Sequence, residues 1–537
     1  MKARSGIGSF GGVATIVDRS AHTSPANPAR RPTDLGGLIL RYALSAALCV
    51  VVLGAFLRFF TSSALWLDEA LSVNIAKLPV AKIPGALRHD GAPPLYYVLL
   101  HFWMRMFGRS DLAVRSLSGF ASLVTLPVAY VAGRRLGGRA GAWASVVLIS
   151  SSPFAIEYAT SARMYSFMIL WSLLGFLALA RAIEQPTHAR LGALGGATAL
   201  ALYTHYWSLY LLGVVGLWLL WQSRARSGAS SEQRGAMRRC FVAMAVGAVT
   251  FVPWLPSFVF QSLHTGTPWS NAAGPGDIVG VLGEYSGTGP WGTALGLTLF
   301  TLLLLGLFGR SIDGRQVLLR LRTRRRVQPL AIAFFGTLVV AVACGAVAQA
   351  AFVGRYTAVV FPLFILLIGF GATVFADRRV LAVVLAWTCL CGLMVSIGAS
   401  TDQRTEANLV ASWINRVASP GDLVVYCPDQ HGPAASRLIH VPVEQATFPR
   451  AASPERVDWV DYRSVIARTN VQQFAVDMIN RAAGHDLWLV WRAGYPGTDG
   501  KCSKLYTWLQ DLRSNGQELV HSDTSYYEHE ALVRFPE

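Results

Sequence analysis

Two adjacent carboxylates, Asp68 and Glu69, stand just after the first long apolar run of the chain, and about twenty residues later come His89, Asp90 and the pair Pro93-Pro94. Further ionisable and aromatic residues sit beside later apolar runs. Glu157, Tyr158, Arg163 and Tyr165 lie in PFAIEYATSARMYSF, His205 in YTHYW, and Arg355-Tyr356 in VGRYTAVVFP. Ionisable groups in or beside a bilayer are costly and default to functional hypotheses. A carboxylate level with arginines at a membrane surface suits a reaction between a lipid phosphate and a hydroxyl. The guanidinium groups hold the phosphate, and the carboxylate takes the proton of the attacking hydroxyl, typically worth about 10²–10⁴ in rate. Plainer readings exist for each piece. Asp68 and Glu69 also suit the first turn of a helix, Arg355-Tyr356 a snorkelling interfacial anchor, Glu157 and Arg163 a local pair, and His89-Asp90-Gly91 a turn. The shared sidedness of these residues favours the functional reading.

That sidedness follows from the elements that must position them. Of the 537 residues, 53% are hydrophobic and 14% charged, with a mean hydropathy of +0.41; soluble domains carry roughly 25% charged residues. Apolar runs cover roughly 37–60, 112–133, 140–156, 164–183, 190–206, 207–222, 240–257, 291–309, 328–350, 357–376 and 379–398. These are near the length needed to cross a hydrocarbon core of about 30 Å. The net charge of +17 resides in short arginine tracts between the runs (Arg134, Arg135, Arg139; Arg224–Arg239; Arg320–Arg326). Basic residues there obey the positive-inside rule and do not indicate a nucleic-acid partner. All tracts fall on one side only if the run at 93–107 does not cross, so it reads as a short interfacial helix opened by Pro93-Pro94.

The expected architecture is a polytopic α-helical plasma-membrane protein with about eleven spans among membrane lipids. Residues 1–36 form a disordered cytoplasmic tail, 37–400 the transmembrane domain with a first outer loop at 61–111, and 401–537 an extracytoplasmic α/β domain. In that last domain TEANLVASWINRVAS reads as a helix, GDLVVYC and DLWLVWRAGY as strands, and 463–482 as one helix. Cys427 and Cys502 are the two cysteines of this region and a disulfide candidate. No cysteine spacing matches a metal site. A transporter or lipid-linked-sugar flippase is the rival reading, but it should show paired halves and broken midplane helices, and no internal repeat is evident.

These motifs resemble the GT-C glycosyltransferases of the family 39 type, which includes protein mannosyltransferases and lipid A aminoarabinose transferases. WLDEA resembles the acidic pair of the family's first outer loop, HDGAPPLYYVLLHFWMRMFG its His–Pro-Pro–helix segment with one extra residue, and RSLSGFASLVTLPVAYVAGRRLGG the segment that follows. The resemblance covers about 64–181, with Arg355-Tyr356 a looser match. It implies a GT-C fold and an inverting transferase using a polyprenyl-phosphate sugar. It implies Asp68 as base, Arg355, Tyr356 and Arg163 at the donor phosphate, and Glu69, His89, Asp90, Glu157, Tyr158, Tyr165 and His205 lining the substrate pocket. The loop at 257–290 is too short for the β-trefoil insert of protein mannosyltransferases. The implied acceptor is therefore an envelope glycan or glycolipid, as in bacterial, especially actinobacterial, members. Mannose is the favoured sugar and arabinofuranose the other. The resemblance leaves a divalent metal open; the sequence shows no His/Cys ligand set for one.

Overall fold

The computed structural model describes residues 35–225, 228, 230–266, 273–312, 316–348 and 352–537. The tail expected at 1–36 lies, up to residue 34, outside them. From Ser45 onward the chain is one compact unit. Its helices run in order as α1 (Leu35–Leu57), α2 (Leu67–Ala76), α3 (Ile83–Asp90), α4 (Leu95–Phe107), α5 (Asp111–Ser150), α6 (Pro153–Ala159), α7 (Tyr165–Glu184), α8 (His188–Thr204), α9 (Ser208–Gln222), α10 (Ser231–Val249), α11 (Leu255–His264), α12 (Gly276–Ser286), α13 (Gly289–Phe308), α14 (Gln328–Ala348), α15 (Phe361–Ala372) and α16 (Arg378–Thr401). Every apolar run overlaps one of these helices. Among the described residues six helices are long and apolar enough to cross a membrane, and three shorter ones are apolar. A hairpin of β1 (Gly309–Ile312) and β2 (Gln316–Leu319) precedes the last arginine tract. Hydropathy gave no sign of it.

Two runs merge in α5, which reverses at Gly137-Gly138. Gly138 takes φ 63° and ψ −152°, a conformation open essentially to glycine alone. Gly133 consequently lies against the Gly141 carbonyl and Ser145, where a Cβ would have no room. The far end of the second arm is closed by Arg58, wholly buried at the end of α1. It donates to the carbonyls of Ile149 (2.7 Å) and Ser150 (3.0 Å) and to Ser122 Oγ (2.9 Å). A cation on the last carbonyls of a helix satisfies groups with no intrahelical partner and suits the dipole.

The C-terminal domain contains α17 (Ala407–Val417), α18 (Gly432–Ser436), α19 (Tyr462–Arg468), α20 (Val471–Arg481) and α21 (Lys501–Leu512) around a five-stranded sheet. The strands are β3 (Leu423–Cys427), β4 (Glu444–Thr447), β5 (Leu487–Trp491), β6 (Gln517–Val520) and β7 (Ala531–Phe535), in the order β4-β3-β5-β7-β6. β3 runs parallel to β4 and β5, and β7 antiparallel to β5 and β6. The single helix expected at 463–482 is two, α19 and α20. Asn470 breaks it by turning its side chain onto the Gln473 N–H (3.2 Å), an N-cap that starts a new helix.

β3 is buried along its whole length, as a strand covered on both faces must be. On one face Leu423, Val425, Leu487 and Leu489 pack with α20 and α21. On the other, Val424, Tyr426, Trp488 and Val490 share a continuous core with α17 and the membrane helices. Leu67 and Leu71, one turn apart on α2, join the first of these cores. The helix carrying Asp68 is thus keyed into the C-terminal domain, and Asn74 Nδ2 adds a 2.7 Å bond to the Glu455 carbonyl.

Cys427 and Cys502 are bonded, joining the end of β3 to the start of α21 across 75 residues of chain. Cys502→Ser removes a constraint typically worth about 2–4 kcal/mol. The expected outcome is faster proteolysis and a lower unfolding temperature for the C-terminal domain, compared with wild type under non-reducing conditions.

Candidate active site

Successive residues of a helix point about 100° apart, and α2 uses this to send its side chains to three different places. Leu67 and Leu71 enter the C-terminal core. Glu69 turns the other way and is wholly buried. Arg115 grips it bidentately (Nε–Oε1 2.8 Å, Nη2–Oε2 2.6 Å), and the Ala162 N–H donates to Oε1 (2.8 Å). Arg115 also donates to the carbonyls of Ser63 (2.7 Å) and Ala64 (2.9 Å). Burial pushes the Glu69 carboxyl up, but the Arg115 charge and these hydrogen bonds outweigh it and leave it below the ordinary range. Glu69 is therefore an ionised structural anchor and not the substrate-pocket residue expected from the sequence, because Arg115 and the Ala162 N–H take both its oxygens inside the core.

Asp68 faces the third direction. Its Oδ2 lies 3.4 Å from Arg355 Nη2 and 4.0 Å from Arg163 Nε, all three side chains being largely but not fully enclosed. Arg163 comes from the turn between α6 and α7, and its Nη1 donates to Ser72 Oγ (3.0 Å) and the Asp68 carbonyl (3.2 Å), holding α2 by its backbone. Arg355 sits on the 3₁₀ turn Gly354–Val359. Gly354 lets Glu284 approach where a Cβ would collide, and Phe154, Tyr285 and Phe361, with ring centroids 4.8–5.0 Å apart, support the turn from beneath.

A row of rings extends from the arginines. Tyr158 to Tyr165 is 4.8 Å, Tyr165 to His205 6.1 Å and His205 to Tyr356 4.9 Å between centroids. His205 Nδ1 accepts the Trp207 N–H (3.2 Å), so the ring is neutral with its donor at Nε2. Asp90 accepts the Tyr97 hydroxyl (2.8 Å). Burial raises its carboxyl, with the Arg163 charge opposing. The structure therefore brings Asp68, Arg163, Arg355, Tyr158, Tyr165, Tyr356 and His205 together, with Asp90 at the edge. His89 is placed elsewhere: it is exposed and bonded to Asp458 of the C-terminal domain (2.8 Å). Glu157 turns to a separate cleft of 480 Å³ shared with Glu284 and Asp402.

Several site residues escaped sequence reasoning. Arg404 leads into the C-terminal domain and donates to Ser161 Oγ (3.0 Å) and Thr160 Oγ1 (3.1 Å), bracing the turn that presents Arg163. Glu284, Trp66 and Tyr527 also reach Arg355. Arg115 had a readable signal, since it is a charge inside an apolar run.

Among the described residues no three His, Cys, Asp or Glu side chains are grouped to hold a metal ion. Both Glu69 oxygens accept hydrogen bonds, and two guanidinium groups already stand beside Asp68.

This architecture is that of the GT-C fold. The structure aligns with ArnT from Cupriavidus metallidurans in the apo state (TM-score 0.61, 14% identity, 93% of this chain and 98% of that one). It aligns with the same protein bound to undecaprenyl phosphate (0.57, 14%, 94% and 98%). The Archaeoglobus fulgidus oligosaccharyltransferase in complex with Zn and sulfate is also similar (0.52, 11%, 89% and 72%). The model for dolichyl-phosphate-mannose-protein mannosyltransferase matches residues 91–256. A sequence search of curated proteins finds no match. The family model thus covers a stretch within the membrane helices, and the fold of the whole chain is that of ArnT and the oligosaccharyltransferase.

The two carboxylates should separate by mutation. Glu69→Ala strands Arg115 in the interior, and breaking such a pair typically costs about 3–5 kcal/mol; the expected result is loss of folded protein by size exclusion and thermal unfolding. Asp68→Asn should fold with an unfolding temperature close to wild type.

Proposed function

We propose that the chain is an inverting glycosyltransferase of the plasma membrane. It moves a sugar from a polyprenyl-phosphate donor to a hydroxyl of an envelope glycan or glycolipid on the outer face, with mannose the favoured sugar. The observation that carries this is Asp68 between Arg163 and Arg355. The donor is a phosphodiester with a single negative charge. Asp68 brings a second, and the two guanidinium groups balance both.

In the reaction Asp68 takes the acceptor O–H proton, the acceptor oxygen bonds to the anomeric carbon, and the bond from that carbon to the phosphate oxygen breaks. The electron pair leaves on the phosphate, which becomes a dianion as Asp68 becomes neutral. The charge facing the two arginines is the same before and after transfer, so a preorganised pair serves both states without rearrangement. The leaving phosphate needs no proton, consistent with the absence of a general acid in the mechanism. His205 and Tyr165 would hydrogen-bond donor sugar or phosphate, and Asp90 a sugar hydroxyl.

The lipid tail has a place to go. A cavity of 410 Å³ among α7, α8, α9, α10 and α14 is lined by Trp171, Phe176, Leu211, Val215, Trp218 and Met244 and reaches Ser208. Ser208 follows Trp207, whose ring lies 5.8 Å from that of Tyr356. A largely apolar slot that reaches Ser208, next to a tryptophan packed near Tyr356, fits an amphiphile with a prenyl chain. The likeness to ArnT, whose structure was also solved with undecaprenyl phosphate, supports the lipid carrier.

Membranes containing the wild-type chain should transfer sugar from one member of a panel of polyprenyl-phosphate donors. Asp68→Asn should lower the rate by about 10²–10⁴ at equal expression. Arg355→Ala should weaken undecaprenyl-phosphate binding, measured directly on purified protein. Donor movement across vesicles without transfer would instead support a flippase.

A further inference from the structure

The connection between β6 and β7 reaches back to the catalytic helix. Its Glu528 is buried and accepts the Leu67 N–H through Oε2 (3.1 Å), beside Asp68. Its backbone is fixed on both sides: Glu528 N–H donates to the Arg404 carbonyl (2.8 Å), and the Glu528 carbonyl accepts from the Glu406 N–H (3.2 Å). The preceding residue, Tyr527, behaves differently. Its ring stands perpendicular to that of Trp66 at 5.2 Å, its hydroxyl hydrogen-bonds Arg355, and yet 66% of its surface is exposed. Trp66 in turn lies 5.8 Å from the Arg355 guanidinium. An aromatic ring is thus held open to solvent at the mouth of the site by a buried, fully bonded neighbour.

Arg355 has two aromatic flanks. Tyr356 leads to His205, Trp207 and the apolar cavity. Trp66 and Tyr527 form the other, supplied in part by the C-terminal domain. If phosphate and prenyl chain occupy the first flank, the second is left for the group that attacks. The aliphatic C–H face of a sugar ring packs on an aromatic face, while its hydroxyls point outward to polar groups.

We propose that Tyr527 and Trp66 form an acceptor subsite that stacks the ring of an uncharged sugar and presents its hydroxyl to Asp68. This rests on the glycosyltransferase reading. It assigns the C-terminal domain a direct share in the active site, with Tyr527 a specificity residue for the acceptor.

The test is saturation-transfer NMR of methyl α-D-mannopyranoside and methyl α-D-arabinofuranoside on the full chain in lipid nanodiscs. Undecaprenyl-phosphate binding is measured on the same samples. Ring-proton saturation of at least one glycoside on wild type should fall about fivefold in Tyr527→Ala and persist in Tyr527→Phe, which keeps the ring but loses the bond to Arg355. Undecaprenyl-phosphate binding should be retained in both variants, shifted only through the lost bond to Arg355, and its loss in Tyr527→Ala overturns the acceptor assignment in favour of a donor-side role. Equal saturation in wild type and Tyr527→Ala, or none on wild type with either glycoside, overturns the subsite. A loss in Tyr527→Phe equal to that in Tyr527→Ala overturns the stacking role in favour of the hydroxyl. Glycoside saturation without undecaprenyl-phosphate binding on wild type overturns the transferase reading and leaves the subsite standing.

Discussion

Two neighbouring side chains on one helix cannot face the same partner, and the site depends on that divergence. Asp68 and Glu69 look interchangeable as a pair of acids, but the rotation from one residue to the next sends Asp68 between Arg163 and Arg355 and Glu69 into the core. Arg115 seizes Glu69 with two hydrogen bonds and ties the loop at Ser63 and Ala64 as well. This fixes the rotation of α2 about its own axis. With that rotation set, Asp68 has no alternative to the space between Arg163 and Arg355. The buried pair is a poor source of net stability by itself; its value lies in defining one orientation.

The same helix is held from its other sides. Leu67 and Leu71 insert into the C-terminal core, Arg163 bonds the Asp68 carbonyl and Ser72, and Glu528 caps the Leu67 N–H. Every direction around α2 is therefore occupied by a different segment, drawn from across the chain. The aromatic supports under Arg355 do the same for the opposite wall. A constellation that must hold reacting groups within a fraction of an ångström needs such redundancy, because each side chain is only as precise as its neighbours.

The membrane helices were legible in the sequence because hydropathy averages over some twenty residues and tolerates local error. Local events were less so. The reversal inside α5 rests on a single glycine conformation at Gly138, and the break between α19 and α20 on one cap at Asn470, a signal present but weaker than the helical periodicity around it. The site divides similarly. Asp68, Arg163 and Arg355 carry charge next to apolar runs, which marks them without any knowledge of contacts. The partnership of His89 with Asp458 spans 369 residues and that of Leu67 with Glu528 spans 461. Nothing local distinguishes Tyr527 from any other exposed tyrosine; only its neighbours in space do.

The bond between Leu67 and Glu528 also bears on biosynthesis. Chains emerge from the ribosome at about 5–20 residues per second, so α2 is made early and waits for nearly the whole remaining chain before its cap and its apolar seat exist. Through that interval the membrane helices can insert and Arg115 can fix the rotation of α2, while the seat of that helix in the last domain is still missing. The helix that carries Asp68 gains its last support only when the connection before β7 is made, which makes completion of the last domain the step that completes the holding of α2. A truncated or stalled product would carry the recognisable motif and the membrane spans, yet hold the motif loosely.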